Sequence, residues 1–451
     1  MKEFLTWFDS EVMWGPLMII FLLGSHIFLT IVTGFVQRYT FKGIKLSLQK
    51  ENSEKGDLSI FGSLMTALSS TIGTGNIVGV GTAIILGGPG AVFWTWIGGI
   101  FGIATKYAES YTAVKYRRKL SSGRYLGGAM VTFEKLNRPL LAKIFAACCA
   151  LGAFGIGCST QASAIVDVMH GTYGFNTIAI GILLCMLTGL VTFGGIDSIA
   201  KVCERLVPFM SIVYIVGCIV ILCINGSYLP SALLLIIKSA FTSNAVVGGI
   251  AGRLVIDAAR QGIARGLFSN EAGMGSAPQA TAASVAKNAV KPALVGSTGV
   301  FWDTVVVCLI TGLVIVSSSL ANPESLAGIS SGAGLVTACF TQLPFGRILL
   351  TFGILTFAYS TILGWSYYGE NCIRYLFHKK AIKPYRAAWI IVIFIGTILT
   401  EGTVWTIADI LNAAMVIPNM ISVLMCLPQI IKDTKYYLHE GHLDEVDPEI
   451  E

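Results

Sequence analysis

Long apolar runs separated by short polar gaps occupy the chain from residue 14 to residue 431. A helix of about 20 mainly apolar residues crosses a bilayer core. Eleven stretches meet that rule: 14–36, 58–87, 89–114, 140–167, 176–194, 203–225, 248–286, 293–318, 346–373, 386–406 and 409–431. The pattern predicts an all-α polytopic membrane protein of about eleven transmembrane helices. Segments two and seven are too long and too rich in glycine to be simple helices. A further apolar piece around 230–247 ends in polar residues and reads as an external or interfacial helix.

With segment one set aside, segments two to six and seven to eleven form two sets of five. An odd number per set makes them cross in opposite senses, which is inverted topology. Segment two contains NIVGVGTA at 76–83 and segment seven contains NEAGMGSA at 270–277, so both read N-x-x-G-x-G-[ST]-A at the first helix of their half. The predicted organisation is an additional helix and loop over 1–57, a first repeat over 58–225, the external helix over 226–247, a second repeat over 248–431 and a tail over 432–451.

Glycine costs a helix interior about 1 kcal/mol relative to alanine, so both motifs are places where a helix unwinds at mid-depth. Unwound backbone survives in a membrane only where protein or a wet cavity satisfies its N–H and C=O groups. Half-helices that begin after such a break present positive N-terminal ends, and those that stop before it present carbonyls. A zwitterionic amino acid matches both signs. Pro278 fits the first turn of the second half-helix of segment seven. The alternative is that the glycines only form close packing seams, which would need neither the asparagines nor the flanking Thr74 and Ser269.

Composition agrees with the bilayer reading: 54% of the 451 residues are hydrophobic, 12% are charged, and the mean hydropathy is +0.73. The opening MKEFLTWFDSEVMWGP lacks the basic start of a cleaved leader, so segment one is expected to be retained. Lysine and arginine concentrate in 37–57, 106–143 and 374–386 and are absent from 87–90, 168–176, 226–231 and 319–334. That bias predicts an extracytoplasmic N-terminus and a cytoplasmic tail, and it accounts for the net +6 without a nucleic-acid footprint. The expected setting is the cell (inner) membrane, with the lipid bilayer and a small molecule as partners. The 11 cysteines are scattered through apolar stretches and read as small fillers.

Three segments, SSTIGTGNIVGVGTAI at 69–84, LFSNEAGMGSAPQA at 267–280 and GGIDSIAKVCERLVPFM at 194–210, resemble the alanine or glycine:cation symporter family. The resemblance spans essentially the whole chain. It implies a leucine-transporter-like fold with one added helix, and import of alanine or glycine with Na⁺ as coupling ion; some members carry glutamine. Gly73-Thr74-Gly75-Asn76 resembles the break whose amides hold the substrate carboxylate, a role that passes to Thr74, Gly75 and Asn76. The resemblance also implies a Na⁺ site between segment nine and the start of that break, formed by the hydroxyl of Thr361 and the carbonyls of Ala358, Ser69 and Ile72. Such an all-oxygen shell suits a hard cation.

Phe268, Ser269 and Asn270 end the first half of segment seven, so their carbonyls and the Asn270 amide are candidates for the substrate ammonium. Met274 is placed to cap a small side-chain pocket. Trp365, on the face of segment nine that carries Ala358 and Thr361, is a candidate floor, with an interfacial tryptophan as the alternative. Gln161 is equally suited to the substrate and to an interhelical hydrogen bond. Intramembrane charges are functional candidates by default: Glu271 and Asp303, with Arg253, Arg260 and Arg265 preceding the break, where Arg260 or Arg265 paired with an acid would form an external gate. Proton coupling through Glu271 or Asp303 stays open. An enzyme is disfavoured because the five histidines are dispersed, with no HExxH and no paired carboxylates, and a channel because no repeated filter or like-charge ring is present.

Overall fold

The structure is a computed structural model that describes residues 2–49, 56–242, 255–398 and 401–450. It is almost wholly helical; the one sheet among the described residues pairs Arg118–Lys119 with Tyr125–Leu126. Each of the eleven predicted stretches carries helix. Five helices among the described residues are long and apolar enough to cross a membrane unaided: Glu3–Val32, Pro139–Tyr173, Ile196–Ile224, Val290–Ala321 and Gly346–Phe377. A pair bent by 59°, Asp409–Met425 with Leu427–His439, would make a sixth. The other stretches are shorter, broken or interrupted by charge.

Local chemistry sets several boundaries. Ser59 caps Ile60–Thr71 by accepting from Gly62 N at 2.9 Å, and Asn176 caps Thr177–Thr192 through two amides. Pro139 and Pro278 stand in first turns, where the missing N–H costs no bond. Segment six begins at Ile196, earlier than its apolar run suggests, and brings Asp197, Lys201, Glu204 and Arg205 into its first turns. The extra apolar piece contains the helix Leu229–Phe241, which receives the Trp94 indole N–H at the Ala240 carbonyl, 3.1 Å away. Segment three, Gly90–Lys115, is the packing centre for segments one, seven and eight. Segment nine, Gly346–Phe377, has the same part for segments two, four and six.

The basic end of the molecule is more tightly paired than a count of loop charges implies. Of the nine bases in 106–143, Lys106, Lys115 and Arg117 are buried. Arg117 donates to the carbonyls of Ala282 and Ser284 at 2.9 and 2.6 Å, and Lys115 to Asp447 and Glu449 at 2.7 Å each. The tail folds back here, with Asn288 Nδ2 donating to the carbonyls of Leu443 and Glu445. At the same end the two broken segments meet through a parallel bridge between Leu58 and Ser284.

Candidate functional site

Segment two runs as helix over Ile60–Thr71, opens, makes one tight turn over Thr74–Asn76 and resumes as Val78–Gly87. The open backbone is held by its own asparagine: Asn76 Oδ1 accepts from Gly73 N at 2.9 Å. Asn76 Nδ2 reaches across to segment eight, donating to Asp303 Oδ1 at 2.7 Å and to the Asp303 carbonyl at 3.1 Å. Thr74 Oγ1 donates to Gln161 Oε1 at 3.1 Å, and Gln161 Nε2 to the Ile156 carbonyl at 3.0 Å. Gln161 follows a π-helical stretch, Gly155–Ser159, of the kind often found at functional sites.

Segment seven is helical over Val255–Asn270, opens, and resumes for the single turn Pro278–Ala282. Glu271, Gly273 and Gly275 hold φ of 55°, 96° and 73°, left-handed values that end the helix in the manner of a C-cap. Asn270 Oδ1 accepts from Ala272 N at 2.9 Å while its Nδ2 donates to Thr304 Oγ1 at 3.0 Å. Thr304 in turn donates to Asp303 Oδ2 at 2.7 Å, and Ser269 Oγ lies 3.0 Å from both Asp303 oxygens. Asp303 and Thr304 belong to a second π-helical stretch, Phe301–Cys308, that fastens both breaks at once.

The two breaks are in contact. A methyl group placed on Gly75 would lie 3.4 Å from Ser269 Cα and from Phe268 Cδ1, so the two breaks stand about one methyl's width apart. Segment nine forms the third wall: a methyl on Gly73 would lie 2.6 Å from Thr361 Oγ1, and one on Gly364 would lie 2.7 Å from Ser69 Oγ. Thr361 Oγ1 donates to the Phe357 carbonyl at 2.9 Å, which leaves its lone pairs turned outward as acceptors. Trp365 packs against Gly157 and Tyr368. Its indole N–H lies close to the Glu271 carboxylate, and among the described residues neither Trp365 Nε1 nor Glu271 Oε1 makes a hydrogen bond that meets distance and angle criteria. The other Glu271 oxygen accepts from Ser276 Oγ.

Of the sequence candidates, Thr74, Gly75, Asn76, Gln161, Phe268, Ser269, Asn270, Trp365, Ser69 and Thr361 are thus drawn into one contiguous region. Ile72, Ala358 and Met274 are buried beside them in the chain. Both asparagine amides are fully engaged in holding the breaks, which leaves main-chain amides and carbonyls as the groups free to meet a ligand. The oxygen donors beside Gly73, namely the last carbonyls of the half-helix Ile60–Thr71 and the Thr361 hydroxyl, suit a hard monovalent cation. The half-helix Val78–Gly87 presents a ten-residue N-terminal end, whereas Pro278–Ala282 is a single turn, so the stronger anion-attracting end is at the first break.

Sequence reasoning missed a buried polar network behind the second break. Lys106 Nζ donates to the Glu271 carbonyl at 2.7 Å and lies 3.6 Å from Glu109 Oε2. Asn419 Nδ2 donates to Glu109 Oε1 at 2.6 Å and to the Gly273 carbonyl at 2.8 Å. The signal was present: Lys106 and Glu109 stand three apart inside segment three, yet the lysine was counted with the loop bases. Toward the opposite end, Arg265 pairs with Asp409 at 3.4 Å and stacks over Phe268 at 5.8 Å, while Arg260 binds the Ser10 carbonyl and Glu11. Arg253 lies outside the described residues.

The sequence profile of the sodium:alanine symporter family matches residues 1–450. The sodium/alanine symporter AgcS of Methanococcus maripaludis is 45% identical over 437 residues, 95% of each chain. The "Probable sodium/glutamine symporter GlnT" of Bacillus subtilis is 33% identical over 443 residues, 97% of this chain and 91% of that one. Two solved structures share the fold. MhsT in complex with L-phenylalanine aligns with a TM-score of 0.53 at 15% identity, over 85% of this chain and 99% of that one. A substrate-bound, outward-open Na⁺-coupled sialic acid symporter aligns with a TM-score of 0.55 at 13% identity, over 93% and 86%.

Proposed function

Because the chain belongs to the sodium:alanine symporter family, and is therefore a multi-pass membrane transporter rather than an enzyme, we propose that it imports a small neutral amino acid, alanine or glycine, together with Na⁺. Transport proceeds by alternating access in the cell (inner) membrane. The chain crosses eleven times as an added helix and two inverted five-helix repeats, with the N-terminus outside and the basic end in the cytoplasm. The observation that carries the reading is the contact between Gly75 of the first break and Ser269 of the second, with Thr361 against Gly73.

The amides of Thr74 and Gly75, just before Val78–Gly87, receive the substrate carboxylate, and that of Asn76, which donates to the Gly73 carbonyl at 3.2 Å, closes the turn that presents them. The carbonyls of Phe268, Ser269 and Asn270 receive its ammonium, and the Asn76 and Asn270 side chains hold those backbones open. Na⁺ takes the carbonyls of Ser69, Ile72 and Ala358 and the Thr361 hydroxyl. Gln161 steadies Thr74, and Met274 and Trp365 bound the side-chain pocket. A glutamine substrate is the second reading, favoured by the name of the Bacillus subtilis relative. The buried carboxylate of Glu271, with one oxygen free of a well-formed hydrogen bond among the described residues, makes H⁺ the alternative coupling ion.

The test is uptake of labelled alanine, glycine and glutamine into proteoliposomes at fixed pH, with Na⁺ replaced by choline or Li⁺. Alanine and glycine are expected to accumulate only with Na⁺. Accumulation of glutamine alone would move the substrate assignment. Uptake indifferent to Na⁺ but driven by an inward proton gradient would move the coupling ion.

A further inference from the structure

Each broken segment leaves the same kind of backbone exposed. A helix stops inside the protein, and its carbonyl end carries the equivalent of about half a negative charge. At the first break the end carbonyls belong to Ser69–Ile72, and at the adjoining Gly73 a methyl would lie 2.6 Å from the neutral hydroxyl of Thr361; no residue from 69 to 84 is charged. At the second break the helix makes its last regular bond from Glu271 N to the Leu267 carbonyl, and Glu271 then turns left-handed. The Glu271 carbonyl, one residue past the helix end, accepts from Met274 N at 3.3 Å and is met at 2.7 Å by the ammonium of Lys106, a residue only 3% exposed.

Burying a lysine in a membrane-embedded core is expensive unless the charge is paired, and Glu109 supplies a partner. Yet the geometry ranks the carbonyl above the carboxylate, 2.7 Å against 3.6 Å. Glu109 is also tied elsewhere, through Asn419 to the Gly273 carbonyl of the same break. The other titratable groups that feel Lys106 are His26, Glu271 and Asp303. The whole arrangement is gathered around the unwound turn.

We infer that Lys106 is a tethered cation. At the carbonyl end of the second break its ammonium does what the coupling ion does at the carbonyl end of the first, so one broken helix carries its own positive charge and the other takes one from solution. The inference rests on the Na⁺ symport reading and fixes the coupling at one sodium ion per amino acid. Lys106 is a positioning residue, because it touches the backbone of the break and not the substrate.

The test uses the full-length protein. Alanine binding is measured on wild type, Lys106→Met, Lys106→Arg, Glu109→Gln and the Lys106→Met/Glu109→Gln double variant. Radiolabelled sodium and alanine are counted together in wild-type proteoliposomes. Lys106→Met is expected to weaken alanine binding by about tenfold or more, which is about 1.4 kcal/mol. Lys106→Arg is expected to bind alanine more tightly than Lys106→Met, and the double variant to remain as weak as Lys106→Met. Recovery of wild-type binding in the double variant would reduce Lys106 to a counter-ion for Glu109 and overturn the inference. Two sodium ions per alanine in wild type would overturn it as well, and that count holds even if the methionine variant does not fold. Absence of any Na⁺-stimulated uptake would instead sink the symport reading, while the binding series would still decide whether the Lys106 charge serves the break.

Discussion

The breaks in segments two and seven carry the same eight-position motif and use its asparagine alike. In each, Oδ1 accepts from a nearby backbone N–H, Gly73 in one and Ala272 in the other. In each, Nδ2 crosses to the same π-helical stretch of segment eight, at Asp303 in one and its neighbour Thr304 in the other. Beyond that they diverge. The first break is uncharged and has no residue at positive φ. The second has three, one of them Glu271, and is backed by Lys106 and Glu109. Opening a helix in a membrane therefore has one common requirement, a side chain that closes the local backbone. The charge that each open end attracts is met separately, by a resident lysine at one break and, in the account proposed above, by Na⁺ at the other.

The largest effect is expected where the two breaks share a fastening. Asp303→Ala removes the acceptor of Asn76, Ser269 and Thr304 together, and each stranded donor costs about 1–3 kcal/mol. Alanine binding should become undetectable and the melting temperature in detergent should fall. A variant that melts like wild type and binds alanine would show that the breaks are not fastened through segment eight.

Next come the asparagines one at a time. Asn76→Ala and Asn270→Ala should each weaken binding roughly five- to more than a hundredfold, with alanine and glycine losing by similar factors because the affected backbone grips groups that both share. Competition binding on the purified variants measures this. A loss confined to one substrate would move that asparagine to the side-chain pocket.

Much of this was legible in the sequence, because glycine and asparagine in the middle of an apolar run have few structural uses. The paired motifs located both breaks, and helical spacing placed Thr361 and Trp365 on one face. The partners of the buried charges were not legible. Asn76 and Asp303 are 227 residues apart in the chain, and only the fold brings them together. The π-helical stretches have no compositional mark. Lys106 was visible but misassigned, since a base near the end of an apolar run reads as a loop charge until its burial is known. Arg265 was expected to pair with an acid, but Asp409, in segment eleven, needed the structure to be found.

A smaller effect should separate the breaks by cation. Thr361→Ala is expected to raise the Na⁺ concentration needed for uptake more than it weakens alanine binding at saturating Na⁺, because losing one oxygen ligand reaches the substrate only through linkage. Unchanged Na⁺ dependence with collapsed alanine affinity would transfer Thr361 to the substrate site. The smallest effect is expected from Trp365→Phe, which keeps an aromatic ring against Gly157 and removes the N–H facing Glu271. The ratio of alanine to glycine affinity should shift by no more than roughly fourfold, about the value of one buried methylene-sized group; equal losses for both substrates would place Trp365 at the headgroup.

The central claim is that the two breaks form one substrate site, and a disulfide between them tests it most directly. A side chain on Gly75 would start 3.5 Å from Ser269 Cβ, within the range that a disulfide spans. In the Gly75→Cys/Ser269→Cys variant, mild oxidation is expected to link these two positions, identified by mass spectrometry of the peptides. Alanine with Na⁺ should slow the reaction, and lysine, which is not a small neutral amino acid, should not. Failure to form the link, or a rate indifferent to alanine, would contradict the account.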